Sequence, residues 1–260
     1  MSVSGKIALV TAGASGIGYA IAKLLSSKGA QVWICDIDER RVAQLSDGEN
    51  PIRAIVGDVG DEDDVNRLFD HVLGQTQGQL DILVNNAGIA GPNGPLETLH
   101  PDDFNETLRI NLLSAFLCTR KALPVMKKCR SGSIVNLSST AGLYGFPLRT
   151  PYAAAKWGII GLTKSLAMEA GAFGIRVNAI CPGSVSGPRM DRVIADEAST
   201  RKIDEDDVRS QFVKQTSLRC FVEADDIAQM VMFICSDEGA KISGQALAVD
   251  GNTESLSQID

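Results

Sequence analysis

The sequence holds little from which a metal centre, a disulfide framework or a membrane anchor could be built. Only two histidines occur, His71 and His100, and neither has a neighbour at metal-site spacing. An imidazole-based metal site or catalytic triad is therefore not expected, and both rings are read as surface residues. The six cysteines, Cys35, Cys118, Cys129, Cys181, Cys220 and Cys235, form no CxxC pair. That spacing argues against a zinc ribbon, a thioredoxin-like site or paired disulfides, and predicts reduced thiols lying mostly in the core. No apolar run approaches the roughly 18 residues needed to span a bilayer. The opening segment Met1 to Lys6 shows neither a basic region nor a following apolar stretch of a secretory signal, so the expected compartment is the cytoplasm. A formal charge of −7 with no concentrated basic face leaves no reason to expect a nucleic-acid or membrane partner.

What is present is the composition of a globular protein, 44% hydrophobic and 22% charged. Apolar runs of strand length alternate with longer amphipathic segments along the whole chain, the βαβ pattern of a parallel sheet. Strands are predicted at 7–10, 31–35, 52–56, 81–84, 133–137, 175–180 and 246–249, and helices near 17–28, 39–47, 61–75, 102–128, 151–171 and 224–236. The expected fold is α/β: a single doubly wound Rossmann-type domain over residues 1–260, with a seven-stranded parallel sheet and helices on both faces. Residues 184–216 break the rhythm. They show no strand pattern and carry twelve charges between Arg189 and Arg209. Two readings are open, a solvated, partly disordered loop or a substrate lid after the sixth strand; the position at the sheet's carboxyl edge favours the lid.

The first strand runs into Thr11-Ala12-Gly13-Ala14-Ser15-Gly16-Ile17-Gly18 and then a helix. Glycines in that context let the backbone approach a pyrophosphate, while the helix N-terminus offers free N–H groups and a positive dipole end. Asp36 ends the second strand, 18 residues after Gly18, where a carboxylate can accept both hydroxyls of an adenosine ribose and repel a 2′-phosphate. A helix N-cap is the plainer use of such an aspartate. Asp58, in Val56-Gly57-Asp58-Val59, could meet the adenine edge or serve only its own turn. Tyr152 and Lys156 stand at i and i+4 on one helical face, so that a lysine cation favours the phenolate of its neighbour. Ser139 lies 13 residues earlier, at the end of a buried-strand run.

Four separated motifs resemble, in order and spacing, those of the short-chain dehydrogenase/reductase family. They are the glycine turn at 11–18, Asn85-Asn86-Ala87-Gly88, the set Ser139, Tyr152 and Lys156, and Cys181-Pro182-Gly183. The resemblance covers essentially the whole chain. It implies hydride transfer between a nicotinamide and an alcohol or ketone, with Tyr152 as acid/base and Lys156 lowering its pKa and binding ribose. It further implies that Ser139 holds the reacting oxygen and that Asn111 sustains a relay water; from its setting alone, Asn111 reads as an exposed polar position. The cofactor, expected to be NAD, is assigned to Gly13, Ser15, Gly16, Ile17, Gly18, Asp36, Asp58, Val59, Asn86, Ala87, Gly88, Tyr152, Lys156, Pro182, Gly183 and Val185. Two departures stand out: Ala12 replaces the family's usual first glycine, and Gly187 stands where a threonine commonly anchors the carboxamide, leaving the Val185 backbone with Ser184 or Ser186 as substitutes.

A homotetramer is implied by the resemblance, through the helices near 102–128 and 151–171, whose apolar content exceeds one sheet-facing stripe. The expected activity is NAD-dependent oxidation or reduction of a polar small molecule. The rivals are an NADPH-linked 3-oxoacyl reductase, which Asp36 disfavours, and a non-catalytic dinucleotide-sensing regulator, which would not need Ser139, Tyr152 and Lys156 together. For the substrate, Arg189 is a candidate anion clamp with Arg149 as a second. The alternative is that Arg189 pairs with Asp191, Asp196 or Glu197.

Overall fold

The computed structural model describes residues 1–46 and 51–256. Among the described residues seven strands, β1 (Ile7–Thr11), β2 (Gln31–Asp36), β3 (Ile52–Val56), β4 (Ile82–Asn85), β5 (Gly132–Leu137), β6 (Ile175–Pro182) and β7 (Ala246–Val249), form one sheet in the order β3-β2-β1-β4-β5-β6-β7. Every pairing is parallel. The period of two along each strand divides the apolar residues between two core layers. Ala8, Val10, Val32, Ile34, Ile82 and Val84 face one side, where Ile21 and Leu25 of α1 (Gly16–Ser27) and Ile227 and Val231 of α9 (Ala224–Cys235) cover them. Leu9, Trp33, Leu83 and Ile134 face the other. There they meet Leu68 and Phe69 of α3 (Glu62–Gln75), Leu117 of α5 (Ser114–Cys129) and Leu166 of α6 (Thr150–Ala170). Burial on both faces explains why the strands read as nearly continuous apolar runs.

The sequence order reverses between β1 and β4, since β2 and β3 lie to one side of β1 and β4 to β7 to the other. Connections leave the strand ends in opposite directions there, opening a crevice at the carboxyl edge. The glycine turn after β1 and the segment after β4 both border it.

Two expectations are corrected. The helix predicted at 102–128 is α4 (Pro101–Leu108), a π-helical turn at Arg109–Leu113, and α5. Asn111 sits in the wide turn, where its Nδ2 donates to the Thr107 and Ile89 carbonyls at 2.9 and 3.0 Å. Far from being exposed, it is 1% accessible. The charged stretch 184–216 is no disordered loop either. It holds α7 (Pro188–Arg201) and α8 (Glu205–Lys214), packed through Met190, Ile194, Ala198, Val208 and Phe212. Those apolar residues recur at helical spacing but are diluted by the charges between them. The helix predicted at 39–47 is α2 (Glu39–Ser46); Asp47 lies outside the described residues.

The other helices and all seven strands fall within two residues of their predicted ends. Four cysteines are buried and two exposed, all unpaired. Burial pushes the thiols of Cys181 and Cys235 up to about 11 and that of Cys35 to about 12, which makes them inert as nucleophiles. His71 and His100 are exposed, as expected.

Candidate active site

The turn after β1 is shaped by contacts that only glycine tolerates. A Cβ on Gly13 would lie 2.6 Å from the Ile34 side chain, and one on Gly18 would lie 2.2 Å from the Ala12 carbonyl oxygen. Gly16 takes φ +52 on the exposed side of the turn. The first turn of α1 carries no side-chain cap, because the Ser15 hydroxyl makes no capping bond. The N–H groups of Gly16, Ile17 and Gly18 therefore have no partner one turn earlier in the helix, the arrangement that receives a phosphate. Ala12 adopts φ 49, a left-handed conformation that explains why a glycine usually stands there.

Asp36 reaches across to this turn, its Oδ2 accepting the Ala14 N–H at 3.0 Å and its Oδ1 accepting the Asp38 N–H at 3.1 Å. The carboxylate thus stands at the end of β2 beside the glycines and is not buried. Asp58 is committed more heavily. It accepts the Gly60 N–H at 2.8 Å and an Arg109 N–H at 2.9 Å, so one of its uses is to tie the end of β3 to the π-helical turn. Val59 sends its side chain into the core layer below, leaving only its backbone for a ligand.

The segment after β4 is held by Thr11, whose Oγ1 accepts the N–H groups of Asn86 and Ala87 at 2.9 and 3.1 Å. Asn86 in turn donates from Nδ2 to the Thr11 and Ala12 carbonyls, both at 3.0 Å. Asn86 is therefore a brace for the glycine turn. Below it runs a buried polar ladder in which Asn85 donates to Thr119 and Asn136, and Asn136 donates to Thr163. Sequence reading did not pick out Thr11, Asn136 or Thr163 as site residues. The signal available was polar residues inside buried strands and helices, which is unusual unless they are paired.

Ser139, Tyr152 and Lys156 converge. Lys156 is 3% exposed and donates from Nζ to the Leu137 carbonyl at 2.8 Å, with Nζ 5.5 Å from the centre of the Tyr152 ring. Its burial, together with the charge of Arg189, holds the ammonium below the usual lysine range, against the pull of Tyr152 and Cys181. For Tyr152, burial by itself would push the phenol up. The Lys156 cation foremost, then Arg189, the adjacent Ser139 hydroxyl and Arg149, outweigh burial and hold it below the ordinary tyrosine value. Ser139 caps the short helical turn at Thr140–Gly142, where its Oγ accepts the Ala141 N–H at 3.1 Å. Asn111 completes the group. Its buried Oδ1 has no hydrogen-bond partner among the described residues, and a Cβ on Gly88 would lie 2.6 Å from that oxygen and 3.5 Å from Lys156 Nζ. Gly88 is therefore what lets the asparagine and the lysine approach the same backbone segment.

Beyond β6, Pro182 ends the strand and Gly183 turns against Asp250, whose Cβ would lie 2.8 Å from a Cβ placed on the glycine. Val185 pairs with Val222 in a parallel bridge whose bonds use the groups of residues 184 and 186. Its own N–H and C=O point to the opposite side. Ser186 is not a free substitute for the missing threonine, because its hydroxyl donates to Glu223 at 2.7 Å. Arg189 forms none of the ion pairs considered for it: Asp191 pairs with Arg209 at 2.7 Å and Glu197 with Arg201 at 3.1 Å. Arg149, the residue before α6, is buried.

A family model described as Enoyl-(Acyl carrier protein) reductase matches residues 11–252. The chain is 36% identical to the 3-oxoacyl-[acyl-carrier-protein] reductase FabG of Thermotoga maritima, over 96% of its own length and 98% of that protein's. It is 34% identical to the D-beta-hydroxybutyrate dehydrogenase of Rhizobium meliloti, over 95% and 97%. Among solved structures, NAD+-bound xylitol dehydrogenase superposes with a TM-score of 0.90 at 30% identity, covering 97% of this chain and all of that one. With the glycine turn, the brace at Asn86 and the cluster of Ser139, Tyr152 and Lys156 in place on one parallel sheet, the chain belongs to the short-chain dehydrogenase/reductase family.

Proposed function

We propose that this oxidoreductase is NAD(H)-linked and interconverts a secondary alcohol and its ketone on a polar small molecule. The observation that carries the reading is the buried Lys156 cation set under Tyr152, with Ser139 beside it, at the crevice bordered by the glycine turn. The residues present fit a dinucleotide. Gly13 and Gly18 keep the turn open, α1 offers uncapped N–H groups, and Asp36 stands where a ribose diol is met. Asn86, Ala87, Gly88, Pro182, Gly183 and the free backbone of Val185 continue the wall. When bound, the nicotinamide accepts or supplies the hydride.

In the oxidising direction Tyr152 takes the hydroxyl proton, Ser139 donates to the reacting oxygen, and Lys156 stabilises the phenolate. Asn111 offers its unpartnered Oδ1 to a water that passes the proton on from Lys156. NAD rather than NADP rests on Asp36, since a 2′-phosphate would face its carboxylate. The 3-oxoacyl reductase reading keeps support from the FabG relative but loses it at the same residue. The α7–α8 pair, with its own small core, acts as the lid over the site.

A homotetramer is part of the proposal. Leu112, Leu113, Phe116, Gly158 and Leu162 line an open apolar groove across the face of α5 and α6, with Trp157 and Met168 exposed nearby. The six unpaired cysteines suit a reducing compartment such as the cytoplasm. The test is a turnover assay in which purified protein and NAD+ are offered a panel of secondary alcohols and reduced nicotinamide is followed by absorbance. Absence of turnover across the panel, with NADH still bound, would favour the dinucleotide-sensing alternative.

A further inference from the structure

Arg149 is a buried cation with no carboxylate at ion-pair distance among the described residues. It is 4% exposed, and among the described residues it makes a single side-chain hydrogen bond, from Nη1 to the Gly91 carbonyl at 3.1 Å. Its Nη2 is sealed from solvent and has no partner there. A guanidinium stays charged in proteins, and leaving such a charge buried with donors unmade is costly. The chain nevertheless holds it there. The Leu148 backbone, at φ 61, turns the chain inward, its carbonyl accepts the Gly94 N–H at 3.0 Å, and the Arg149 N–H is tied to the Phe146 carbonyl at 3.2 Å.

The surroundings identify what is missing. Arg149 caps the start of α6 three residues before Tyr152, and its charge acts on the phenol, so the guanidinium stands near the reacting end of the site. The charges of Glu197, Asp196 and Arg189, all three on α7, act on Arg149, as does Tyr152. Glu197 is already engaged by Arg201 at 3.1 Å, and Asp196 and Arg189 are exposed to solvent. The unmade donor of the buried Arg149 therefore calls for an anionic acceptor from a ligand, and a carboxylate, planar and singly charged, matches the guanidinium fork.

We propose that the substrate of this site is a small hydroxy acid, or the corresponding keto acid, whose carboxylate is bound by Arg149 under α7 with Arg189 as the second cation. The assignment rests on the dehydrogenase reading above and adds the substrate class to it. In oxidation the carbinol C–H bond breaks with hydride passing to NAD+, the O–H proton goes to Tyr152, and the C=O bond forms while the carboxylate is unchanged. Because the two recognition points are one helical turn apart, only a few carbons separate carbinol and carboxylate.

The experiment has an activity arm and a binding arm. Short hydroxy acids, from lactate to 4-hydroxypentanoate, are compared with their methyl esters as substrates of wild type, Arg149→Gln, Arg149→Lys and Arg189→Ala. At least one acid should exceed its ester in kcat/KM. That ratio should fall about 10- to 100-fold in Arg149→Gln, recover in part in Arg149→Lys, and fall less in Arg189→Ala. If Arg149→Gln does not fold, the other two variants carry the comparison. In the second arm, calorimetry measures butyrate, butyramide and inorganic phosphate on the enzyme–NADH complex, and butyrate should bind best. Butyrate preference without turnover of any alcohol would sink the dehydrogenase reading and keep the carboxylate site. Ester turnover equal to that of the acids in every variant, or no preference for butyrate over butyramide or phosphate, would overturn the site and leave the dehydrogenase standing.

Discussion

The Asp36 carboxylate accepts the Ala14 N–H at 3.0 Å, so the residue proposed to select the dinucleotide also fastens β2 to the glycine turn. Selection and turn geometry are thereby coupled. Wild type should prefer NAD(H) to NADP(H), because the 2′-phosphate would bring like charge against a carboxylate already oriented by two backbone donors. Asp36→Ala should lower that preference by about 10-fold or more and should also cost about 1 kcal/mol of stability, since the Ala14 N–H loses its acceptor. Kinetics with both cofactors and a denaturant titration test the two halves separately. A wild-type ratio near one would remove Asp36 as the selector.

Tyr152→Phe removes only the phenolic oxygen from a ring whose contacts are otherwise retained. Turnover should fall by about 10²- to 10⁴-fold, the span typical of a lost general acid/base, while NADH affinity changes little. Stopped-flow turnover and fluorescence titration of NADH measure the pair. Wild-type turnover in this variant would mean that the proton moves elsewhere.

Much of this arrangement was legible from residue order because the chemistry sits at strand ends, and strand ends in a buried parallel sheet follow from hydrophobic runs. The glycine turn, Asp36, Ser139, Tyr152 and Lys156 are all placed that way. Asn111 was legible only through resemblance. Its side chain bonds to Ile89, 22 positions away, and that contact turns an apparently ordinary helical asparagine into the wall of a π-helical turn. The α7–α8 pair was missed as helix because its apolar residues, Met190, Ile194 and Ala198, are few and pack mainly on one another rather than on the sheet. Arg149 and Arg189 show the opposite limit. Sequence spacing made Arg189 the first candidate for an anion clamp, yet it is exposed, and burial singles out Arg149.

Ala12 pays a conformational cost that glycine would not. At φ 49 its Cβ is strained, while its side chain makes no contribution to the main core layers. Ala12→Gly should stabilise the protein by about 0.5 to 1 kcal/mol, the strain relieved being larger than the unfolded-state entropy that glycine adds. For a domain of this size that is an increase in Tm of about 1 to 4 °C. Calorimetry showing a lower Tm would mean that the methyl packs usefully.

The groove over Leu112, Leu113, Phe116 and Leu162 should be covered by a second copy of the chain. Light scattering at micromolar concentration should give a mass close to four times that of one chain. Phe116→Asp, which places a charge on a ring now 44% exposed, should shift the population to smaller species without unfolding the subunit. A monomeric wild type would refute the assembly.

The pH dependence follows from the cations around Tyr152. Lys156 foremost, then Arg189 and Arg149, hold its phenol below the ordinary tyrosine value despite burial, so the proton-accepting form is populated at lower pH than in a free tyrosine. Alcohol oxidation needs the phenolate. Its kcat/KM should therefore rise with pH, about tenfold per unit on the acid limb, and level off once pH exceeds the lowered pKa. Ketone reduction needs the phenol and should run the other way, flat at low pH and falling above the same point. Removing a cation removes part of the depression, so Arg189→Ala should move both midpoints to higher pH, and by less than Lys156→Met, whose ammonium is the largest favourable influence. Because Arg189 is exposed, salt should shrink its share of the shift while leaving that of the buried Lys156 nearly intact. Profiles of the three proteins at low and high ionic strength measure this, with a neutral alcohol as substrate so that anion binding does not enter. Coincident midpoints for wild type and Lys156→Met would show that the titrating group is not Tyr152.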